Sequence, residues 1–393
     1  MWHERTQDQQ ASGELQMLGI VQEQHGDRAA LFMQWKNMDW PIMVDSLDQL
    51  DVSLVPIHVL IDEHGIVRSI NPSENDFAVF MKREFDVESH TPLNDDRAIV
   101  SLLPGDEAFL RASTAANAME DRARAWATAI KLYSDAIANA QEDNTGRLHF
   151  RLGVAYRARA DSGVAQPGDF ERAIEHWVAA RATDPNQYIW RRRIQQYGPR
   201  LDKPYSFYDW VSQAREDIKA RGETPVELRI EPRGAELATP VKTMNTAVTA
   251  DVSQRLAEYD AVTADGAGDN ALLAIETIVV PHTNATDVYR VHIVFQPRAR
   301  VDAHWNNEAE PMQVIIDVPD GWEIDENVHE LANAETAASN ERRLVECEVR
   351  RTDEADSDTA PVLRFRAVYN ICEGIDGVCM FRRSDGVVHL PSS

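Results

Sequence analysis

Apolar positions change period twice along this chain. From residue 15 to 70 short apolar runs are separated by polar turns. Leu15-Gln-Met-Leu-Gly-Ile-Val-Gln22 reads as a buried strand, residues 27–37 as a helix, and Pro41-Ile-Met-Val44 as a short strand. Val55-Pro-Ile-His-Val-Leu-Ile-Asp62 and Ile66-Val-Arg-Ser-Ile70 then form a hairpin pattern, with Gly65 supplying the backbone freedom of its turn. Ser73 is placed to cap a closing helix that runs through Phe85. From residue 121 to about 222 the period becomes 3.6, and from about Val226 onward alternation returns. In 362–371 apolar residues alternate with Arg364 and Arg366 as a half-buried strand requires. The expected architecture is multidomain α/β plus α plus β: an α/β unit at 1–89, a helical region at 100–222, and a β-sandwich at 224–393 with an irregular stretch near 232–270.

Composition narrows the function classes. The 393 residues carry a formal charge of −25, which argues against nucleic acid or an anionic membrane as partner, because counterion release rewards Lys and Arg. No window approaches the roughly 20 consecutive apolar residues of a spanning helix. The first ten residues are polar and unlike a signal peptide, which places the chain as written in the cytoplasm. No His-Glu-x-x-His pair, Gly-x-Ser-x-Gly elbow or phosphate-cradling Gly-Lys-Ser/Thr loop occurs, so no cofactor or metal is expected. Acidic loops are expected at 251–270 and 351–360.

Of three cysteines, Cys372 and Cys379 face each other across Glu-Gly-Ile-Asp-Gly-Val, between one strand and a shorter one ending in Met380-Phe-Arg-Arg383. Six residues with two glycines can turn the chain back and bring the sulfurs within the roughly 5.5 Å Cα separation of a disulfide. Two readings stay open, a redox-active pair and a static bond that pins a hairpin. Cys347, in Arg343-Leu-Val-Glu-Cys-Glu-Val-Arg350, reads as a small residue on a sheet.

Tyr369-x-x-Cys372, the glycine-containing loop and Cys379 resemble the amino-terminal, immunoglobulin-like domain of the DsbD thiol:disulfide interchange proteins. His304-Trp-Asn-Asn-Glu-Ala-Glu-Pro311 and Val314-Ile-Ile-Asp-Val-Pro-Asp-Gly-Trp322 are similar to the start of that domain's middle strands. The resemblance implies that Cys372 and Cys379 shuttle between dithiol and disulfide, exchanging electrons with redox partner proteins, with Tyr369 on the substrate side. Six residues separate the cysteines here where the DsbD proteins have five. His304 is the one histidine of interest; hydrogen bonding at a strand end is its other reading.

Residues 15–85 are similar to the thioredoxin-like redoxins, in which a Val-Pro pair, an apolar strand ending in Ile-Asp and a Gly turn recur. The resemblance makes Pro56 a cis-proline that pairs with a bound thiol substrate; a trans proline opening a strand is the alternative. That family's first strand and Trp-Cys-x-x-Cys segment should precede Trp2 and are absent. Their loss leaves the strands at 15–22 and 57–61 without a shared partner. In-frame DNA before Met1 is expected to encode them, together with an export signal or lipid anchor that would move the protein to the periplasm or envelope.

Ala129, Tyr133, Ala136, Leu152, Gly153, Tyr156, Ala173, Trp177, Ala180 and Pro185 resemble tetratricopeptide repeats, with Asp184-Pro-Asn186 as the stop. The match covers about one and a half repeats, fewer than a free-standing solenoid needs. Residues 188–210 combine aromatics with arginines. These either bind a partner's carboxylates or dock the helices while pairing with the chain's own acids. The expected function is thiol–disulfide exchange through Cys372 and Cys379 in an order the sequence leaves open. The alternative is a non-catalytic interaction protein in which the cysteines are structural.

Overall fold

A computed structural model describes residues 2–52, 55–86, 103–114, 118–140, 145–200, 207–237, 244, 250–266, 271–352, 361–374 and 377–391. It is a mixture of helices and mainly antiparallel sheets. The junction at 90–99 and most of the expected acidic loop at 351–360 lie outside the described residues. Two compact units emerge: residues 1–29, 39–158 and 176–192 in one, and 30–38, 159–175 and 193–393 in the other.

In the first unit the short strands fall where the apolar runs are. β1 (Gly19–Val21) pairs in parallel with β2 (Ile42–Val44), joined through α2 (Gly26–Lys36). β3 (Val59–Ile61) and β4 (Val67–Ile70) form a separate antiparallel hairpin. The Asp62 carboxylate shapes its turn, accepting from the His64 and Ile66 N–H groups at 2.9 Å each, and Gly65 takes φ +80°. β1 and β3 sit in different two-stranded sheets, and Ile20, Met43, Val59, Ile61, Val67 and Ile70 are exposed. Ser73 caps α3 (Glu74–Phe80) in a reciprocal capping box with Asp76. The helix ends at Phe80 rather than continuing through Phe85. There the chain folds back, so that the Phe85 ring meets Phe80 at 5.4 Å and its carbonyl contacts His64 Nε2 at 2.8 Å.

α1 (Trp2–Ser12) lays Trp2 against His58 and Phe77. The helical part contains α4 (Pro104–Thr114), α5 (Met119–Asn139) and α6 (Thr145–Ala160). Its anchor is a buried charge cluster. Asp106 accepts from the Tyr133 hydroxyl at 2.8 Å and from Arg151 Nη1 at 2.7 Å, while Arg151 Nε donates to the Leu47 carbonyl at 3.1 Å. All three side chains are essentially sealed from water, so each polar atom needs such a partner. Ala129, Tyr133, Leu152, Ala173, Trp177 and Ala180, read as helix-packing positions, are buried. They lie on α5, α6 and α7 (Asp169–Thr183), which α8 (Tyr188–Tyr197) follows.

The second unit contains two antiparallel sheets sharing one core. One has the order β10-β8-β13-β7-β11, with β14 on β13; the other is β5-β6-β12-β9. The strands are β5 (Leu273–Pro281), β6 (Val288–Pro297), β7 (Ala303–Asn306), β8 (Met312–Asp317), β9 (Trp322–Ile324), β10 (Val328–Leu331), β11 (Ala338–Ser339), β12 (Arg343–Arg351), β13 (Val362–Glu373) and β14 (Cys379–His389). Their period-2 patterns send Val291, Ile293, Phe295, Val345, Cys347 and Val349 inward from one sheet and Trp305, Val314, Ile316, Phe365, Tyr369 and Ile371 inward from the other. α9 (Trp210–Ala220) packs Trp210 flat on Trp35, with Phe32 edge-on to both.

One expectation needs correction, and one pair of alternatives narrows. The stretch near 232–270, read as irregular and acidic, contains α10 (Ala250–Tyr259); Val252, Leu256 and Tyr259 repeat at helical spacing among the acids. Of the arginines of 188–210, two turn to the chain itself. Arg193 is buried, and Arg200 pairs with Glu348 at 2.8 Å and Asp325 at 2.6 Å, so docking within the chain accounts for them.

Candidate redox site

Cys372 ends β13 and Cys379 begins β14, and the two are direct partners in the register of an eleven-pair ladder. The Glu373 N–H donates to the Val378 carbonyl at 3.4 Å, which makes the neighbouring pair hydrogen-bonded. The cysteine pair is therefore of the non-hydrogen-bonded kind, in which side chains approach most closely. The sulfurs are bonded and the Cα atoms lie 3.9 Å apart. Both glycines of the connecting loop are required by its geometry. Gly374 has φ +77°, and a Cβ on Gly377 would fall 1.2 Å from the Glu373 carbonyl oxygen.

Strand parity decides which way the pair faces. Leu363, Phe365, Ala367, Tyr369 and Ile371 all enter the core, so Arg364, Arg366, Val368, Asn370 and Cys372 take the opposite face. On β14 the partners on that outer face are Cys379, Phe381, Arg383, Asp385 and Val387. α10 crosses the middle of this face: Arg366 Nη1 donates to the Leu256 carbonyl and to Asp260, and Arg383 Nη1 donates to the Tyr259 carbonyl. The segment 263–265 runs beside β14 at Arg383. Toward the disulfide the face opens. Cys379 and Phe381 are exposed, whereas Cys372 is only 4 % exposed. The pair thus presents one accessible and one buried cysteine.

Tyr369 is not beside a substrate. It is fully buried, its ring meets Trp305 edge-on at 6.0 Å, and its hydroxyl is 2.7 Å from Ser384 Oγ. Burial raises its phenol above the ordinary range. The alternation of 363, 365, 367, 369 and 371 already carried that signal, because it puts Tyr369 in the core row and Cys372 in the other. Pro56 is exposed and follows a cis Val55–Pro56 peptide. It belongs to the first unit and the cysteines to the second. Cys347 is sealed in the core, where burial pushes its thiol up and out of reach of ordinary reagents.

His304 was the residue whose partner the sequence could not name. It sits on β7, whose register makes it the direct partner of Cys372 on the side away from Cys379. Its neighbours Ala303 and Trp305 are buried in the core.

No protein family and no curated protein matches the sequence. Among solved structures, the chain is similar to the yeast GGA1 GAE domain, at 15% identity over 32% of this chain and 96% of that one, with a TM-score of 0.19. It is also similar to the GAE domain of GGA2p from Saccharomyces cerevisiae, at 15% identity over 34% of this chain and 100% of that one, with a TM-score of 0.19. Likeness at that level fixes neither family nor function. Among the described residues no helix is long and apolar enough to cross a membrane, and no group of three or more His, Cys, Asp or Glu is placed to hold a metal ion.

Proposed function

We propose that the carboxy-terminal sandwich exchanges thiols and disulfides with a redox partner protein through Cys372 and Cys379. The observation that carries this reading is the placement of the bond on the outer face with Cys379 exposed and Cys372 buried. A partner thiolate attacks Cys379 Sγ, the Cys372–Cys379 bond breaks, and the electron pair leaves on Cys372. The product is a mixed disulfide on Cys379. In the reverse direction the Cys372 thiolate attacks Cys379 Sγ and expels the partner. Cys379 is thus the contacting residue and Cys372 the resolving one.

The resemblance to the amino-terminal domain of the DsbD proteins supports the same chemistry. It makes the sandwich immunoglobulin-like, with thioredoxin-like and tetratricopeptide-like parts before it, in an oxidising bacterial envelope where such a bond persists. The competing role, a staple in an interaction protein, is weakened by the length of the hairpin, since an eleven-pair ladder holds the two strands together without it.

Redox titration and partner trapping test the proposal. The bond should open to a thioredoxin-type reductant in the folded protein, unlike structural disulfides, whose potentials typically lie below roughly −300 mV. Cys372→Ser should accumulate a mixed disulfide with an oxidised partner, and Cys379→Ser should not. A bond that stays closed until the protein unfolds, with loss of folding in Cys372→Ser, would establish the staple instead.

A further inference from the structure

Three strands put three reactive side chains in one row. His304 on β7 is the register partner of Cys372 on β13, which is the partner of Cys379 on β14. Register partners point to the same face, with Cβ atoms about 4.5–5.5 Å apart. That face is the outer one, because Ala303 and Trp305 on either side of His304 are in the core. The row places an imidazole beside the cysteine that must leave as a thiolate.

The ring is also tethered. His304 Nδ1 lies 3.3 Å from the Asp302 carbonyl oxygen. A carbonyl only accepts, so this contact suits a hydrogen on Nδ1 and leaves Nε2 as the nitrogen open to proton exchange. The same carbonyl accepts the Gly374 N–H at 3.2 Å, at a residue held in the left-handed region with φ 53°. One oxygen therefore tethers both the imidazole and the loop that joins the cysteines.

Chemistry supplies the need. Cys372 is 4 % exposed, and a charge released in a buried position is costly unless it is paired or neutralised. Farther along the two strands Arg366 and Arg383 are taken up by Asp385, Asp260 and the Tyr259 carbonyl; the described charged groups nearest the pair are Arg300 and Asp302 on the turn into β7, Glu373 at the end of β13, and Arg382 on β14. Arg382 takes the core-side parity and its Nη2 contacts Met380 Sδ at 2.8 Å, while Asp302 and Glu373 would oppose a second negative charge. We propose that His304 is the proton donor and acceptor for Cys372 during exchange. The idea rests on the redox reading of the pair.

In the forward step the partner thiolate bonds to Cys379 Sγ, the S–S bond breaks, and the electron pair goes to Cys372 Sγ. The proton on His304 Nε2 then moves to that sulfur, leaving a neutral imidazole and a thiol. In the return step the neutral imidazole takes the Cys372 proton, and the thiolate so formed attacks Cys379 Sγ and releases the partner thiolate.

The test follows reduction of the full chain by dithiothreitol from pH 5.5 to 8.5, quenched with iodoacetamide and divided by the concentration of reagent thiolate. In the wild type this rate constant should fall between pH 5.5 and 8.5, because the protonated ring is the competent form. His304→Gln should be slower at pH 6, by roughly tenfold or more, and flat, since positioned proton transfer is worth that much. His304→Lys, which keeps a positive charge across the range, should restore a fast and flat profile. Thermal melts check that each variant is folded, and His304→Asn replaces any that is not. A His304→Gln profile superimposable on that of the wild type would overturn the role of His304 while leaving the redox reading intact. Failure of the folded wild type to react at all would overturn both.

Discussion

Asp48 offers a direct measurement of what a buried carboxylate costs this protein. It is 1 % exposed, on the loop after β2 in the left-handed backbone region at φ 51°. It accepts from the Val52 N–H at 3.1 Å and from Trp190 Nε1 at 3.2 Å. Burial is the largest influence on it and outweighs these bonds; Asp45 and Asp51 add repulsion, and its pKa is pushed up to about 6. Against an unfolded value near 3.8, each unit of difference is worth about 1.4 kcal/mol, so ionisation of the folded state costs about 3 kcal/mol. The sign follows from the raised value. Stability from this group is fully present below about pH 4 and is lost as pH rises through 6. Asp48→Asn suits the left-handed backbone and abolishes the titration, but its single oxygen forfeits one accepted hydrogen bond at about 1 kcal/mol. The variant should be more stable than the wild type by about 2 kcal/mol at pH 7.5, about equal to it near pH 4.5 and less stable at pH 3.5. Urea unfolding of both proteins across that range, compared at each pH, reads the crossing directly. A constant difference between them at all pH values would refute the reasoning.

Three other expectations can be checked by similar means. Glu346 feels burial that would raise its pKa, but the hydrogen bond from His292 and the charge of Arg290 hold it down at about 2. Its contribution to stability, about 3 kcal/mol at most, should be present above pH 4.5 and fade as pH falls toward 2, a slope that acid titration should find missing in Glu346→Gln. Arg151→Met strands the buried Asp106 carboxylate and should cost about 3–5 kcal/mol in chemical denaturation, with much of the loss recovered in Arg151→Met combined with Asp106→Leu. Cys347 should resist iodoacetamide in the folded, reduced protein and react only after denaturation, as mass spectrometry of the alkylated peptides would show.

The fold was legible where a segment's own pattern was enough. Ser73, the Gly65 turn and the alternation of β13 are local signals: the turn and the strand form as expected, and the helix starts after Ser73 but stops at Phe80. α10 was missed because its acids were read for composition and its apolar residues were not read for spacing. Tyr369 was assigned to a substrate although its own strand places it with Phe365 and Ile371. The partnership of His304 with Cys372 could not be read at all. The two are far apart in sequence, and register between distant strands depends on the whole sheet.

The outward position of the disulfide also bears on how often it could be used. The cysteines take the parity opposite the inward row of their strands, whose nearest members are Ile371 and Met380. Under the redox reading, opening and closing the bond acts first on the short loop between the strands rather than on that inward row. If the bond cycles as proposed, the rest of the eleven-pair ladder is what holds the two strands together while it is open.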